Sequence, residues 1–208
     1  MTRFTLTQMM NMDNIVEKKE KMLLHSCCSV CSSHVISVLA PQYDLSVFYY
    51  NPNIWPEDEY KHRKEEQIRL LREADFCRGV GYFDLDYDHE EYLCSVKGLE
   101  QEPENGKRCS VCFRLRLEKT AVFALEHGFD CFCTTLTVSP HKNSPVINAI
   151  GEQIAEQYGI KWIHSDFKKK DGYLHSTRLA KEYNLYRQDF CGCEFAWRGH
   201  SRDRSGII

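Results

Sequence analysis

The chain has 208 residues, 27 Lys and Arg against 30 Asp and Glu, and a formal net charge of -3. That length fits one large or two small domains with a sizeable core, and the charge balance excludes a protein that meets nucleic acid through overall basicity; an RNA partner would need a local basic patch. Eleven cysteines are an odd number set in close pairs, a pattern that points to metal or redox chemistry in a reducing compartment rather than to a secreted disulfide scaffold.

Residues 1–20 are polar, with Met9, Met10 and Met12 near the middle, and read as a surface extension preceding a domain over residues 21–208. No apolar leader stands out there, and no apolar run approaches the ~18 residues of a membrane span, so a cytoplasmic protein without membrane contact is expected. An apolar run over residues 22–25 predicts a first strand. It ends abruptly at Cys27 and Cys28, with Cys31 one helical turn on and helical pattern to about Ala40. This strand–turn–helix places thiols at the carboxyl end of a strand, where open α/β sheets bind ligands.

Residues 43–50 predict a buried strand, followed by the turn residues Asn51-Pro52-Asn53-Ile54-Trp55-Pro56. Residues 58–76 predict a charged helix with Ile68, Leu70 and Leu71 towards a core. Its run Lys61-His62-Arg63-Lys64 reads as a solvated face. Residues 81–87 predict a strand and 88–97 a short helix. After a polar loop, residues 109–127 predict a strong helix stopped at Gly128. Residues 129–136 and 160–164 predict two more strands, with helices over 145–158 and 172–183. Strands alternating with helices favour a single α/β domain, a mainly parallel sheet with helices on both faces.

The cysteines carry the chemistry. Cys109 and Cys112 lie i, i+3 on one face at a helix start, where the positive helix end favours thiolates. At a strand-to-helix turn Cys27 and Cys28 can face one centre. Two plus two gives four thiolates, which suits an iron–sulfur cluster or tetrahedral zinc. Cys31 is a spare ligand. A disulfide between Cys191 and Cys193 would span only Gly192, so it would be strained and easily reduced, which favours a redox pair over a staple. Cys77 and Cys94 read as ordinary buried thiols, Cys131 and Cys133 as core filling on one face of a strand, and His25, His141 and His164 as structural histidines. The tail ends in Arg198, Arg202 and Arg204.

Five blocks in order then give a resemblance: Leu24-His25-Ser26-Cys27-Cys28, Phe48-Tyr49-Tyr50-Asn51-Pro52-Asn53-Ile54, Gly106-Lys107-Arg108-Cys109-Ser110-Val111-Cys112-Phe113, Thr134-Thr135-Leu136-Thr137-Val138-Ser139-Pro140 and Tyr186-Arg187-Gln188-Asp189-Phe190-Cys191-Gly192-Cys193. From residue 22 to about 197 the chain resembles the cobalamin-independent epoxyqueuosine reductases, with an architecture like that of the adenine-nucleotide α-hydrolases (PP-loop-like). The resemblance implies reduction of the epoxide of epoxyqueuosine, at the wobble position of tRNA, to queuosine. It implies a [4Fe–4S] cluster on Cys27, Cys28, Cys109 and Cys112, a redox-active Cys191–Cys193 disulfide, and a low-potential electron donor that it does not identify. It also allows a second metal ion, whose ligands it leaves unassigned. Lys107, Arg108, Arg114 and Arg116 are the expected tRNA patch; Tyr49, Tyr50, Trp55 and Tyr186 are the candidates to stack the wobble base. Two other classes stay open on the residues alone. One is a PP-loop-like tRNA sulfur- or nucleotide-transfer enzyme, though Ser26-Cys27-Cys28 lacks the glycines such a turn carries. The other is a zinc-stabilised RNA-binding module.

Overall fold

The computed structural model describes residues 18–196; the Met9, Met10 and Met12 segment and Arg198, Arg202 and Arg204 lie outside the described residues. Strand β1 (Lys21–Ser26) is the centre of the sheet. It pairs in parallel with β2 (Asp44–Tyr49) on one side and β4 (Cys131–Thr134) on the other. The edges are β3 (Gly81–Asp84), beside β2, and β5 (Lys161–Trp162), beside β4, so the order is β3-β2-β1-β4-β5 and every pair is parallel. This is the open, doubly wound order whose ligands bind outside the carboxyl ends of the strands, and it is consistent with the PP-loop-like architecture.

Burial on both faces explains why β1 is an unbroken apolar run. Met22 and Leu24 join one core with Cys131 and Cys133. Over it lie Val35, Ile36 and Leu39 of α1 (Ser29–Leu39), Leu70 of α2 (Glu57–Glu73) and Ala180 of α6 (Gly172–Glu182). Leu23, Phe48 and Phe132 face the other way. They pack under Phe113, Leu117 and Ala121 of α4 (Lys107–Glu126) and Ile147, Ile150 and Ile154 of α5 (Ser144–Tyr158). Cys131 and Cys133 therefore fill the core as their alternation implies. The short α3 (His89–Ser95) carries Cys94, which is exposed rather than buried; Cys77 is buried, and that burial pushes its thiol up to about 12.

Several elements are shorter than their patterns. β3 stops at Asp84, where its partner β2 ends at Tyr49. The 129–136 run is a strand only to Thr134, whose hydroxyl accepts the Leu136 N–H and turns the chain into a 3-10 helix over Thr135–Val138. β5 keeps two residues because only Cys131 and Phe132 face it.

After α6 the chain returns across α2 as a strap. Arg63, 1% exposed, donates to the carbonyls of Phe190 and Cys191 at 3.3 Å each and to Glu59 at 2.7 Å. Its guanidinium also covers the Phe190 ring at 5.1 Å. Arg63 is thus a buried clamp, against the expectation of a solvated face. The Trp55 N–H donates to Gly192 O at 2.8 Å, and Ile54 bridges Cys193. Gly192 has φ +98°, and a Cβ there would sit 2.9 Å from Ile54 Cγ1, so only glycine passes.

Two measurements test these packing statements. Leu24→Ala is expected to lose about 2–5 kcal/mol in urea unfolding, against about 0.5 or less for the exposed Val38→Ala. Arg63→Ala removes charged hydrogen bonds worth about 1.5–3 kcal/mol, so exchange of the Trp55 amide is expected to accelerate tenfold or more while amides of β1 stay slow. Equal acceleration of both would deny the strap its local role.

Candidate sulfur-lined active site

β1 ends at Ser26 and α1 begins at Ser29, so Cys27 and Cys28 occupy the turn. Cys28 caps α1 with an extended backbone, and Ser32 one turn later donates to its carbonyl at 2.9 Å. The thiols of Cys27, Cys28 and Cys31 hydrogen-bond one another. Donation from Cys28 and Cys31 pulls Cys27 well below the ordinary thiol range, and Cys31 rises as its counterpart. The turn has no glycine and is closed by sulfur, unlike a nucleotide-binding loop.

α4 starts beside it. Gly106 is its cap, Cys109 lies in its first turn with its sulfur accepting the Asn105 N–H at 3.3 Å, and Cys112 is one turn on. Burial pushes Cys109 up and Cys112 up to about 11, so desolvation outweighs the thiolate-favouring helix end expected there. Deprotonating such thiols calls for a cationic centre between them.

Two cavities meet here. The larger, about 370 Å³, has Cys27, Cys31 and Cys191 in its wall. The smaller, about 30 Å³, is lined by Cys109, Cys112, Cys191 and Cys193. Cys191 and Lys142 belong to both, so the strap brings its cysteines between the two earlier motifs. Both strap cysteines are free thiols in this structure. The Cys193 sulfur receives the Cys191 thiol, the Tyr92 hydroxyl at 3.0 Å, and the N–H groups of Ala196 and Phe195. These donors, Cys191 foremost, hold Cys193 well below the ordinary thiol range and Cys191 above it.

The cations are the other half of the site. Arg116 is buried; it donates to Cys112 O and to Asn51 Oδ1 at 3.3 Å each, and its guanidinium lies 5.8 Å from the Phe113 ring centroid. Lys142 is half-buried in the loop after β4. Neither has a carboxylate ion-pair partner among the described residues. Burial works against both charges, yet both are held above their ordinary values: Arg116 by Cys112, Cys27 and Cys191, Lys142 by Cys27, Cys31 and Cys191. Beneath them His25 bonds Thr134 Oγ1 at 2.9 Å and Tyr50 O at 3.2 Å; burial and then Arg116 push it down to about 3, a neutral structural histidine. His164 is exposed, and His141 is exposed at the rim of the larger cavity.

Several expected surface contacts are interior. Arg108 is buried and donates to the carbonyls of Leu99, Glu100 and Glu102. With Arg116 also buried, only Lys107 and the half-buried Arg114, bonded to Gln153, remain of that patch. Tyr49 is buried against Tyr60 and Tyr50 is bonded to Glu91, so neither ring can take a base. Trp55 is partly exposed and Tyr186 is half-buried on Glu59, and neither lines either cavity. Lys142, Tyr92 and Arg63 went unrecognised from sequence. Lys142 lies in the loop that follows β4, a position the strand-end rule flags. Arg108, Cys112, Arg116 and Thr120, four apart and all buried, form a helical stripe that was there to be read.

Among the described residues, no three Cys, His, Asp or Glu side chains are placed to hold one metal ion. A four-iron cluster asks for something else, four thiolates distributed around it. The donor chemistry suits that demand: Cys27 lines the larger cavity, Cys109 and Cys112 the smaller, and Cys28 is buried in the turn beside Cys27, with Arg116 and Lys142 as cations that have no carboxylate ion pair among the described residues.

The family described as "Epoxyqueuosine reductase QueH" matches residues 22–199. A relative of that name from Streptococcus pyogenes serotype M1 is 41% identical over 201 residues, covering 91% of this chain and 79% of the relative. One from Staphylococcus epidermidis is 38% identical, covering 91% and 85%, and one from Thermotoga maritima 37%, covering 84% and 88%. With the five sequence blocks gathered at one sheet edge and these relatives matched over most of their length, the chain belongs to the epoxyqueuosine reductase QueH family of oxidoreductases.

Proposed function

We propose that this protein reduces the epoxide of epoxyqueuosine in tRNA to the alkene of queuosine, with a [4Fe–4S] cluster held by Cys27, Cys28, Cys109 and Cys112 and with Cys191 and Cys193 as a dithiol–disulfide pair. The observation that carries the reading is electrostatic: Lys142 lines the larger cavity with Cys27, Cys31 and Cys191, and Arg116 and Lys142 line the smaller one with Cys109, Cys112 and Cys193, neither cation having a carboxylate ion pair among the described residues, an environment suited to an anionic sulfur-ligated centre.

When bound, the cluster supplies single electrons drawn from a low-potential donor. The chain's own residues do the rest. The Cys191 thiol and the Cys193 thiolate becoming one disulfide release two electrons and one proton; the epoxide oxygen leaves as water with that proton and a second one given by the Lys142 ammonium, which recovers it from solvent, and its two carbons become an alkene. Cys191 borders both cavities and is the sulfur nearer to a substrate in the larger one. Tyr92 and the backbone N–H groups of Phe195 and Ala196 hold its partner, Cys193, as the thiolate. Lys142 offers a cationic donor towards the oxygen as the ring opens. The strap fixed by Arg63 keeps the pair at the sheet edge.

The test is anaerobic purification with iron and sulfide analysis, alongside mass spectrometry of digested substrate tRNA. Alanine at Cys27, Cys28, Cys109 or Cys112 is expected to remove most of the iron, while alanine at Cys77 or Cys94 leaves it. Cys191→Ser and Cys193→Ser are expected to keep near-normal iron and lose conversion. A full cluster in Cys109→Ala would overturn the ligand set. Full turnover by either serine variant would make the pair incidental, and loss of iron in both would make it part of the metal site.

A further inference from the structure

The surface that meets RNA has a better candidate than the one suggested by the cysteine-flanking arginines. The larger cavity is lined by the buried Cys27 and by Cys191, and by the exposed His141, Tyr173 and Arg187 on its solvent side. At about 370 Å³ it is the size of a small-molecule site. It admits one nucleotide, not a duplex, so a substrate base must be splayed out of its strand to reach the sulfurs.

Tyr173 is 44% exposed on this side of the cavity, and Leu174 is 47% exposed on the next position of the helix, so two large apolar side chains reach solvent in the first turn of α6. The turn before them is tightly built. Lys170 and Asp171 take φ +51° and +60°, and a Cβ on Gly172 would meet Phe167 O at 1.8 Å. Within it Lys168 and Lys169 are tied to Asp166 at 3.7 and 3.5 Å. Lys170 and Arg187 are exposed and have no carboxylate partner among the described residues. Tyr173 and Arg187 thus line a one-nucleotide cavity, with Lys170 in the turn just before the ring; Glu104 and Asp189 are the carboxylates of the same wall. An exposed ring with cations near it is the combination that single-stranded RNA uses: stacking on the ring and phosphates on the charges.

We infer that the single-stranded RNA flanking the modified nucleotide docks on this rim, a neighbouring base stacking on Tyr173 and the backbone phosphates meeting Arg187 and Lys170. This rests on the tRNA reading above. It places the RNA on the face formed by α6 and the strap, away from the Lys107 and Arg114 side of α4.

The test uses the full-length, cluster-loaded protein and substrate tRNA, with binding measured across a salt series and conversion measured at saturating tRNA. Tyr173→Ala is expected to weaken binding about tenfold and Tyr173→Phe to leave it close to normal. Arg187→Gln is expected to make the slope of log affinity against log salt shallower by roughly 0.7. The double variant Lys107→Gln, Arg114→Gln is expected to bind as the unaltered protein does. Unchanged binding and salt slope in both Tyr173→Ala and Arg187→Gln would overturn the inference. So would weakening confined to the Lys107, Arg114 variant, or slowed re-reduction by a protein donor with RNA affinity intact. If Tyr173→Ala fails to fold by circular dichroism, Arg187→Gln and Lys170→Gln decide alone. Failure of the unaltered protein to convert the tRNA would count against the reductase reading itself; conversion by that protein together with unaffected variants counts only against this docking face.

Discussion

Positive charge set among thiols, with no carboxylate ion pair among the described residues, is the constraint around which this site is built. Placing a guanidinium in a protein interior costs several kcal/mol unless something anionic faces it. Arg116 has two neutral oxygens, a ring and sulfur around it, and Lys142 has sulfur. Negative charge on the neighbouring thiols favours both cations. That makes the cysteines and cations one unit, in which the state of each sulfur depends on the others.

Topology supplies the unit. β1 and β4 are neighbours and parallel, so the turn holding Cys27 and Cys28 and the loop holding Lys142 leave the same sheet edge. α4 brings Cys109, Cys112 and Arg116 to that edge from the other layer. The strap closes the arrangement, and its geometry depends on two residues that perform no chemistry: Arg63, which seizes two strap carbonyls, and Gly192, whose backbone lies where a side chain would strike Ile54.

Much of this was legible from the chain alone, for physical reasons. A strand buried on both faces must be continuously apolar, so β1 and the abrupt change at Cys27 stood out. Cysteines in tight clusters have few uses outside metal and redox chemistry. Strand ends were less legible because a ladder lasts only as long as its partner: β5 retains two residues of a five-residue pattern. Arginine was read as surface at Arg63, Arg108 and Arg116 since charge normally demands water, yet each is buried against carbonyls or sulfur. The i, i+4 stripe through Cys112 marks two of them; Arg63 has Glu59 four residues before it, an ordinary surface pairing, while the strap carbonyls that bury it lie 127 and 128 residues away. Tyr92 was equally invisible, because its contact with Cys193 spans 101 residues.

The central claim is that these cations balance an anionic, sulfur-held redox centre. Potentiometric titration of the anaerobically purified protein, followed by its visible absorption, tests it most directly when Lys142→Met is compared with the unaltered chain. A chromophore that bleaches on reduction is expected, with a lower midpoint potential in the variant, since removing a positive charge disfavours adding an electron. Absence of such a chromophore, or an identical potential in both proteins, would contradict it.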